Sequence, residues 1–168
     1  MNKNKDLKIV ETFNLAIKNY QEARLDIAQE LYNQVLKIDP NHLGALNNLG
    51  VIFKNIKQIQ KAINCYEKVI KIYPDHFDAH NNLGNAFKEL GDFHKAKDCY
   101  EKVIKIYPDH LESHYNLGVA YSDLDETQKA KDCYEKAIEI DPNYAPAHSN
   151  LGNALKVLGE NEKAIDCY

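Results

Sequence analysis

The sequence contains no tryptophan, a single methionine and no long apolar run. A membrane-spanning helix needs roughly 20 apolar residues in succession, so none is predicted, and the polar segment from Met1 to Lys8 lacks the apolar core of a signal peptide. An excess of positive charge is also missing, because the net charge of the 168 residues is -4. That balance gives nucleic acid and anionic membranes no electrostatic reason to bind. We therefore expect a cytoplasmic protein that binds neither of them.

Motifs for catalysis are missing as well. The sequence shows no nucleophile placed beside a base, no pair of carboxylates in an apolar stretch and no glycine-rich loop for a phosphate. Its seven glycines are instead spaced for helix packing. We predict that the chain is not an enzyme and needs no cofactor.

What the sequence does contain is a repeat of 34 residues. The twelve residues from Cys65 to His76, CYEKVIKIYPDH, return unchanged from Cys99 to His110. The same spacing separates the prolines, the cysteines and the Leu-Gly pairs: Pro40, Pro74, Pro108, Pro142; Cys65, Cys99, Cys133, Cys167; Gly50, Gly84, Gly118, Gly152. A fixed period of this length is typical of stacked helical units.

Two helices are predicted in each unit, because apolar residues recur at three- and four-residue steps on both sides of a turn. Gly91-Asp92 has the glycine cap and the aspartate cap of such a turn, and proline ends the second helix. The small residues predict close helix packing, with Gly84 facing Ala96 and with Tyr100 filling a wider gap.

This pattern resembles the tetratricopeptide repeat family over roughly residues 9–168. The family's opening tryptophan is replaced, by Thr12, Leu46, His80, His114 and His148. The resemblance implies an all-α fold, a right-handed superhelical solenoid of antiparallel helix pairs. We predict one array over residues 1–168, with units at about 9–42, 43–76, 77–110 and 111–144 and a truncated fifth at 145–168. The truncation would leave an uncapped face able to self-associate, formed by Ala154, Leu155, Leu158, Ala164 and Ile165.

An asparagine lies one residue before the leucine of each repeat. We call this set the asparagine ladder: Asn14, Asn48, Asn82, Asn116 and Asn150. In tetratricopeptide superhelices the first helices line the concave groove, so the resemblance places the ladder on the groove floor. Further candidate contacts lie beside it, namely Asn47, Asn81, Asn85, Tyr115, Asn153, Lys54 and Lys88. Amides donate and accept hydrogen bonds and can pair with any peptide backbone. The alternative is that these asparagines serve only the helix or the solvent.

Metal binding has two sets of candidate ligands. Four cysteines could form a zinc site, but equivalent positions in stacked helix pairs lie about 10 Å or more apart. His76 and His80 have helical metal-ligand spacing, as do His110 and His114. The resemblance assigns His80 and His114 to a packing position, so we predict no metal.

The first hypothesis for function is a protein-interaction scaffold that binds an extended peptide in the groove. The groove has no cation at the positions where some relatives grip a chain-terminal carboxylate. The ladder and the stretch AHSNLGNALKVLG resemble the repeat domain of O-linked N-acetylglucosamine transferase. A second hypothesis is therefore a substrate-recruiting arm of a larger glycosyltransferase or sulfotransferase, and a third is a self-assembly module.

Overall fold

A computed structural model describes residues 3–167 of the chain and contains ten α-helices within them. Residues 1, 2 and 168, which the predicted array includes, lie outside this range. The helices are α1 Lys3–Gln21, α2 Leu25–Ile38, α3 Leu43–Asn55, α4 Ile59–Ile72, α5 Phe77–Glu89, α6 Phe93–Ile106, α7 Leu111–Asp123, α8 Thr127–Ile140, α9 Ala145–Val157 and α10 Asn161–Ile165. None of these helices is long and apolar enough to cross a membrane.

Odd-numbered helices are the first helices of the repeat and even-numbered helices are the second. Three residues join the members of a pair, as at 22–24, and four join one pair to the next, as at 39–42. Such short links make neighbouring helices antiparallel. The helices α3, α5, α7 and α9 begin at residues 43, 77, 111 and 145, where the repeat units were predicted to begin.

The chain divides into two compact units, Met1–Asn82 and Leu83–Tyr168. In the first unit α1 packs on α2, α2 on α3 and α3 on α4, and in the second α6 packs on α7, α7 on α8, α8 on α9 and α9 on α10. Within each unit, the helices named here that are adjacent in the chain are thus adjacent in space, as in helical repeat proteins. The predicted all-α helical repeat is confirmed.

The turn inside each pair contains one residue in the left-handed conformation. The predicted glycine cap, Gly91, has φ +76°, and Asp92 N–H donates to the Phe87 carbonyl five residues back at 3.0 Å. Ala23, Lys57 and Asp125 occupy the same place in other repeats with φ between +57° and +61°. A side chain in this conformation costs about 1 kcal/mol, so packing of the two helices overrides local preference there.

The turn between pairs is built from a proline and a histidine. Tyr73 and Tyr107, which precede proline, have φ near -134° and end their helices, as expected for residues before proline. His42, His76 and His110 then cap the next helix, because Nδ1 of each accepts the backbone N–H three residues later at 3.1–3.3 Å. This histidine cap was not predicted.

Tyrosine rings, and not alanines, are the nearest neighbours of Gly50, Gly84 and Gly118. A Cβ added to Gly84 would lie 2.7 Å from Cε1 of Tyr100, and one added to Gly118 would lie 2.5 Å from Cε1 of Tyr134. The expectation that Gly84 faces Ala96 was therefore wrong. The glycine leaves room for a large ring, and Tyr32, Tyr66 and Tyr100 are fully buried beneath the first helices.

Candidate functional site: the asparagine ladder

Each ladder residue lies on a first helix, and all but the exposed Asn14 are half-buried. In the first unit, Asn48 Nδ2 donates to the Tyr32 hydroxyl at 3.1 Å. Asn82 Nδ2, on α5, donates to Asn47 Oδ1, on α3, at 3.2 Å. The amides therefore connect neighbouring helices of this unit.

In the second unit the ladder is hydrogen-bonded in a similar way. Asn116 Oδ1 accepts from Lys88 Nζ at 2.6 Å, and Asn116 Nδ2 donates to Asn85 Oδ1 at 3.5 Å. Asn150 Nδ2 donates to the Tyr115 hydroxyl at 3.3 Å. Five of the predicted site residues are thus brought into contact across neighbouring first helices, in three pairs.

The remaining candidates lie on the same helices. Asn81 is half-buried on α5, Asn153 is exposed on α9, and Lys54 is half-buried on α3. Each ladder amide has two N–H groups and an oxygen with two lone pairs, and the bonds described above use one or two of these. The half-buried amides thus retain capacity for the N–H and C=O groups of an extended backbone.

Sequence reasoning missed the tyrosines of the second helices as partners of the asparagines. Tyr32 accepts from Asn48, and Tyr100 donates to Asn85 Oδ1 at 2.8 Å. Tyr66 differs, because its hydroxyl is buried and has no hydrogen-bond partner among the described residues. Val51 lies where the next repeat has Asn85, 34 residues on, which is the signal that could have revealed the difference.

We predict opposite effects for two matched substitutions in these tyrosines. Tyr66→Phe should leave the free energy of unfolding unchanged or raise it by about 1 kcal/mol, because it removes an unpaired buried hydroxyl. Tyr100→Phe should lower it by about 1 kcal/mol, because it removes the bond to Asn85. Urea unfolding followed by circular dichroism measures both. Equal destabilisation by the two substitutions would contradict the claim that the Tyr100 hydroxyl is hydrogen-bonded and the Tyr66 hydroxyl is not.

The candidate metal ligands have other roles in the structure. Burial raises the pKa of the Cys133 thiol to about 12, with nearby Asp132 and Glu101 adding to the effect, whereas zinc needs the thiolate. His76 caps a helix through Nδ1, and His80 Nε2 lies 2.8 Å from the Pro74 carbonyl oxygen. No group of three or more potential metal ligands occurs among residues 3–167. Ring nitrogens of both histidines are thus engaged in hydrogen bonds around the turn between helix pairs.

The predicted uncapped face is only partly exposed. Ala154, Leu155 and Ala164 are buried, because the short α10 packs back against α9. Leu158 is 36% exposed and Ile165 is 74% exposed. The expected exposure was therefore wrong for Ala154, Leu155 and Ala164 and is found for Leu158 and Ile165, and self-association through this face stays a prediction.

These features define the chain as a helical repeat with a polar, amide-lined first-helix surface. The tetratricopeptide repeat profile matches residues 41–109 and 75–143, and a second profile of that repeat matches residues 133–166. The chain belongs to the tetratricopeptide repeat family.

Several solved structures have a similar fold. The crystal structure of MamA has a TM-score of 0.86 at 28% identity, and the match covers 90% of this chain and 89% of that one. MamA from Desulfovibrio magneticus RS-1 has a TM-score of 0.89 at 22% identity over 95% of this chain and 90% of that one. YrrB, described as a TPR protein with an unusual peptide-binding site, has a TM-score of 0.82 at 19% identity over 93% and 80%. The helical repeat solenoid is thus confirmed as the fold class.

A curated relative matches a shorter part of the chain. The uncharacterized protein ycf37 of Pyropia yezoensis is 33% identical over an alignment of 67 residues, and the match covers 34% of this chain. The chain spans 37% of that relative's length.

Proposed function

We propose that the chain is a protein-interaction scaffold that binds an extended peptide segment along its first helices. The observation that carries the proposal is the set of half-buried ladder amides, each fixed by a neighbour and each with hydrogen-bonding groups to spare. Amides held in place in this way can pair with a peptide backbone whatever its side chains, and fixing them in advance lowers the entropy cost of binding. The proposal includes no catalytic step.

The comparisons support binding as the general class of function. The family to which the chain belongs is one of binding repeats, and YrrB is described as having a peptide-binding site. The ladder's likeness to the repeat domain of O-linked N-acetylglucosamine transferase keeps the second hypothesis, an arm of a larger glycosyltransferase or sulfotransferase, as an alternative. The exposed side chain of Ile165 keeps self-assembly as a further alternative. The net charge of -4 remains the basis for proposing that the chain does not bind nucleic acid, and a cytoplasmic location stays a proposal.

Asn116 is the residue whose replacement tests the proposal most sharply. Peptides selected from a random dodecapeptide library against the whole chain supply the probe. Asn116→Ala should weaken the best of them by about fivefold to tenfold, because one or two backbone hydrogen bonds worth about 1 kcal/mol each are lost. Fluorescence anisotropy measures the affinity.

Asn143→Ala is the matched control, because Asn143 is an exposed asparagine in a turn between pairs. It should leave the peptide affinity unchanged. Equal affinities for wild type, Asn116→Ala and Asn143→Ala would reject a role for the ladder in binding. A fall in melting temperature for Asn116→Ala with unchanged affinity would assign the ladder to stability alone.

A further inference from the structure

A cleft of about 430 Å³ lies in the second unit, between the C-terminal half of α7 and α9. Val119 and Val157 contribute apolar walls, and Asn150 of the ladder is part of its lining. The buried Tyr134 of α8 also lines the cleft. The cleft is therefore continuous with the surface that we propose binds a peptide.

The charge of the cleft is of one sign. Asp123, at the end of α7, and Asp125, in the turn that follows, both line it, and none of the described lining residues is lysine, arginine or histidine. Both carboxylates are exposed. A pair of carboxylates at one end of a cleft favours a positively charged group beside it.

Neither carboxylate is needed to build the turn. The place of Asp125 is taken by Ala23, Lys57, Gly91 and Gly159 in the other repeats, all with positive φ. The place of Asp123, counted in steps of 34, is taken by glutamine, asparagine, glutamate and valine. The pair of acids is therefore particular to this repeat, and the fold tolerates other residues at both positions.

The apolar walls distinguish the cleft from a solvated pair of acids. Val157 is 74% exposed and lies on the cleft with Val119. A lysine or arginine side chain matches this combination of valine walls and carboxylates. Its methylene stem packs on apolar surface, and its charged head group pairs with carboxylates. Arginine is the better match, because its planar head can bond to two acceptors at once.

We propose that this cleft receives a basic side chain, preferentially arginine, from the peptide bound along the ladder. The stem packs between Val119 and Val157, and the guanidinium group pairs with Asp123 and Asp125. This inference rests on the proposed function, and it narrows the ligand to an extended peptide that carries a basic residue.

The test uses the whole chain and blocked tripeptides with a central arginine or a central citrulline, which has nearly the same shape and no charge. Nitrogen-15 NMR titration should show that the arginine peptide shifts the backbone amides around residues 119–125 and 150–157. The citrulline peptide should bind about fivefold more weakly or worse, as expected for the loss of charge-assisted bonds at a partly exposed site. Equal binding of the two peptides would overturn the inference.

Substitutions of Asp123 and Asp125 provide a second test of the inference. The double variant Asp123→Asn with Asp125→Asn should bind the arginine peptide about fivefold more weakly and no longer prefer it to citrulline. Asparagine tolerates a positive φ, so the turn at residue 125 should be kept. Asp109→Asn, an exposed aspartate outside the cleft, should leave binding unchanged. Unchanged binding in the double variant would also overturn the inference.

The two sets of experiments distinguish an error in the proposed arginine site from an error in the proposed peptide-binding surface. If library-selected peptides depend on Asn116 but show no preference for arginine over citrulline, the cation site is wrong and the peptide-binding surface stands. If the arginine tripeptide binds in the cleft while no selected peptide depends on Asn116, the cation site stands and the ladder proposal is wrong.

Discussion

Tyr100→Ala is expected to lower the free energy of unfolding by about 3–5 kcal/mol, the largest effect of any substitution considered. The Tyr100 side chain is fully buried, its ring lies against Gly84, and its hydroxyl donates to Asn85. Truncation removes a large apolar surface from the core and leaves a cavity that neighbouring helices cannot readily close. Urea unfolding followed by circular dichroism gives the size of the loss.

Tyr107→Ala is the control for this substitution. Tyr107 lies one residue beyond the end of α6, in the same repeat, and is 54% exposed. We expect a change within about 0.5 kcal/mol for this surface residue. Similar losses for Tyr100→Ala and Tyr107→Ala would show that the ring packed against Gly84 does not stabilise the repeat.

Gly118→Ala is expected to lower the free energy of unfolding by about 1–3 kcal/mol, although alanine is the better helix former. The added Cβ would lie 2.5 Å from Cε1 and 2.7 Å from Cδ1 of Tyr134. Tyr134 is 2% exposed and packed, so its ring cannot move away without disturbing the core. Urea unfolding of the single variant measures the cost.

A double-mutant cycle isolates this contact. In a Tyr134→Ala background the ring is gone, so Gly118→Ala should be neutral or should stabilise the chain by about 0.5–1 kcal/mol through helix propensity. The sign of the effect of Gly118→Ala is thus expected to reverse. The same destabilisation in both backgrounds would mean that Gly118 is required for a reason other than the tyrosine ring.

The 34-residue period was sufficient to predict most of the fold. Proline and apolar spacing act locally, and they predicted where α3, α5, α7 and α9 begin. The left-handed turn at Ala23 and Lys57 was not predictable, because neither residue favours that conformation and packing of the helix pair imposes it. The pairing of Gly84 with Tyr100 was missed because it depends on which way a side chain 16 residues away points.

The candidate site was predicted as a set of positions but not as a network. The placement of the ladder on first helices follows from periodicity, and every member lies there. Its hydrogen bonds join residues 16 to 35 positions apart, as in Asn48 to Tyr32 and Asn82 to Asn47. Such bonds depend on three-dimensional packing. The cleft was missed for the same reason, because it forms only where α9 packs beside the C-terminal half of α7.

The most direct test of the central claim, that the ladder binds an extended peptide, is nitrogen-15 NMR of the asparagine side-chain amides during titration with a library-selected peptide. The ladder amides report on contact without any substitution. We predict that the side-chain resonances of Asn48, Asn82, Asn116 and Asn150 shift and saturate with the peptide, while that of Asn143 does not move. Saturable binding that shifts only residues of the second helices and leaves all four ladder amides unchanged would contradict the account.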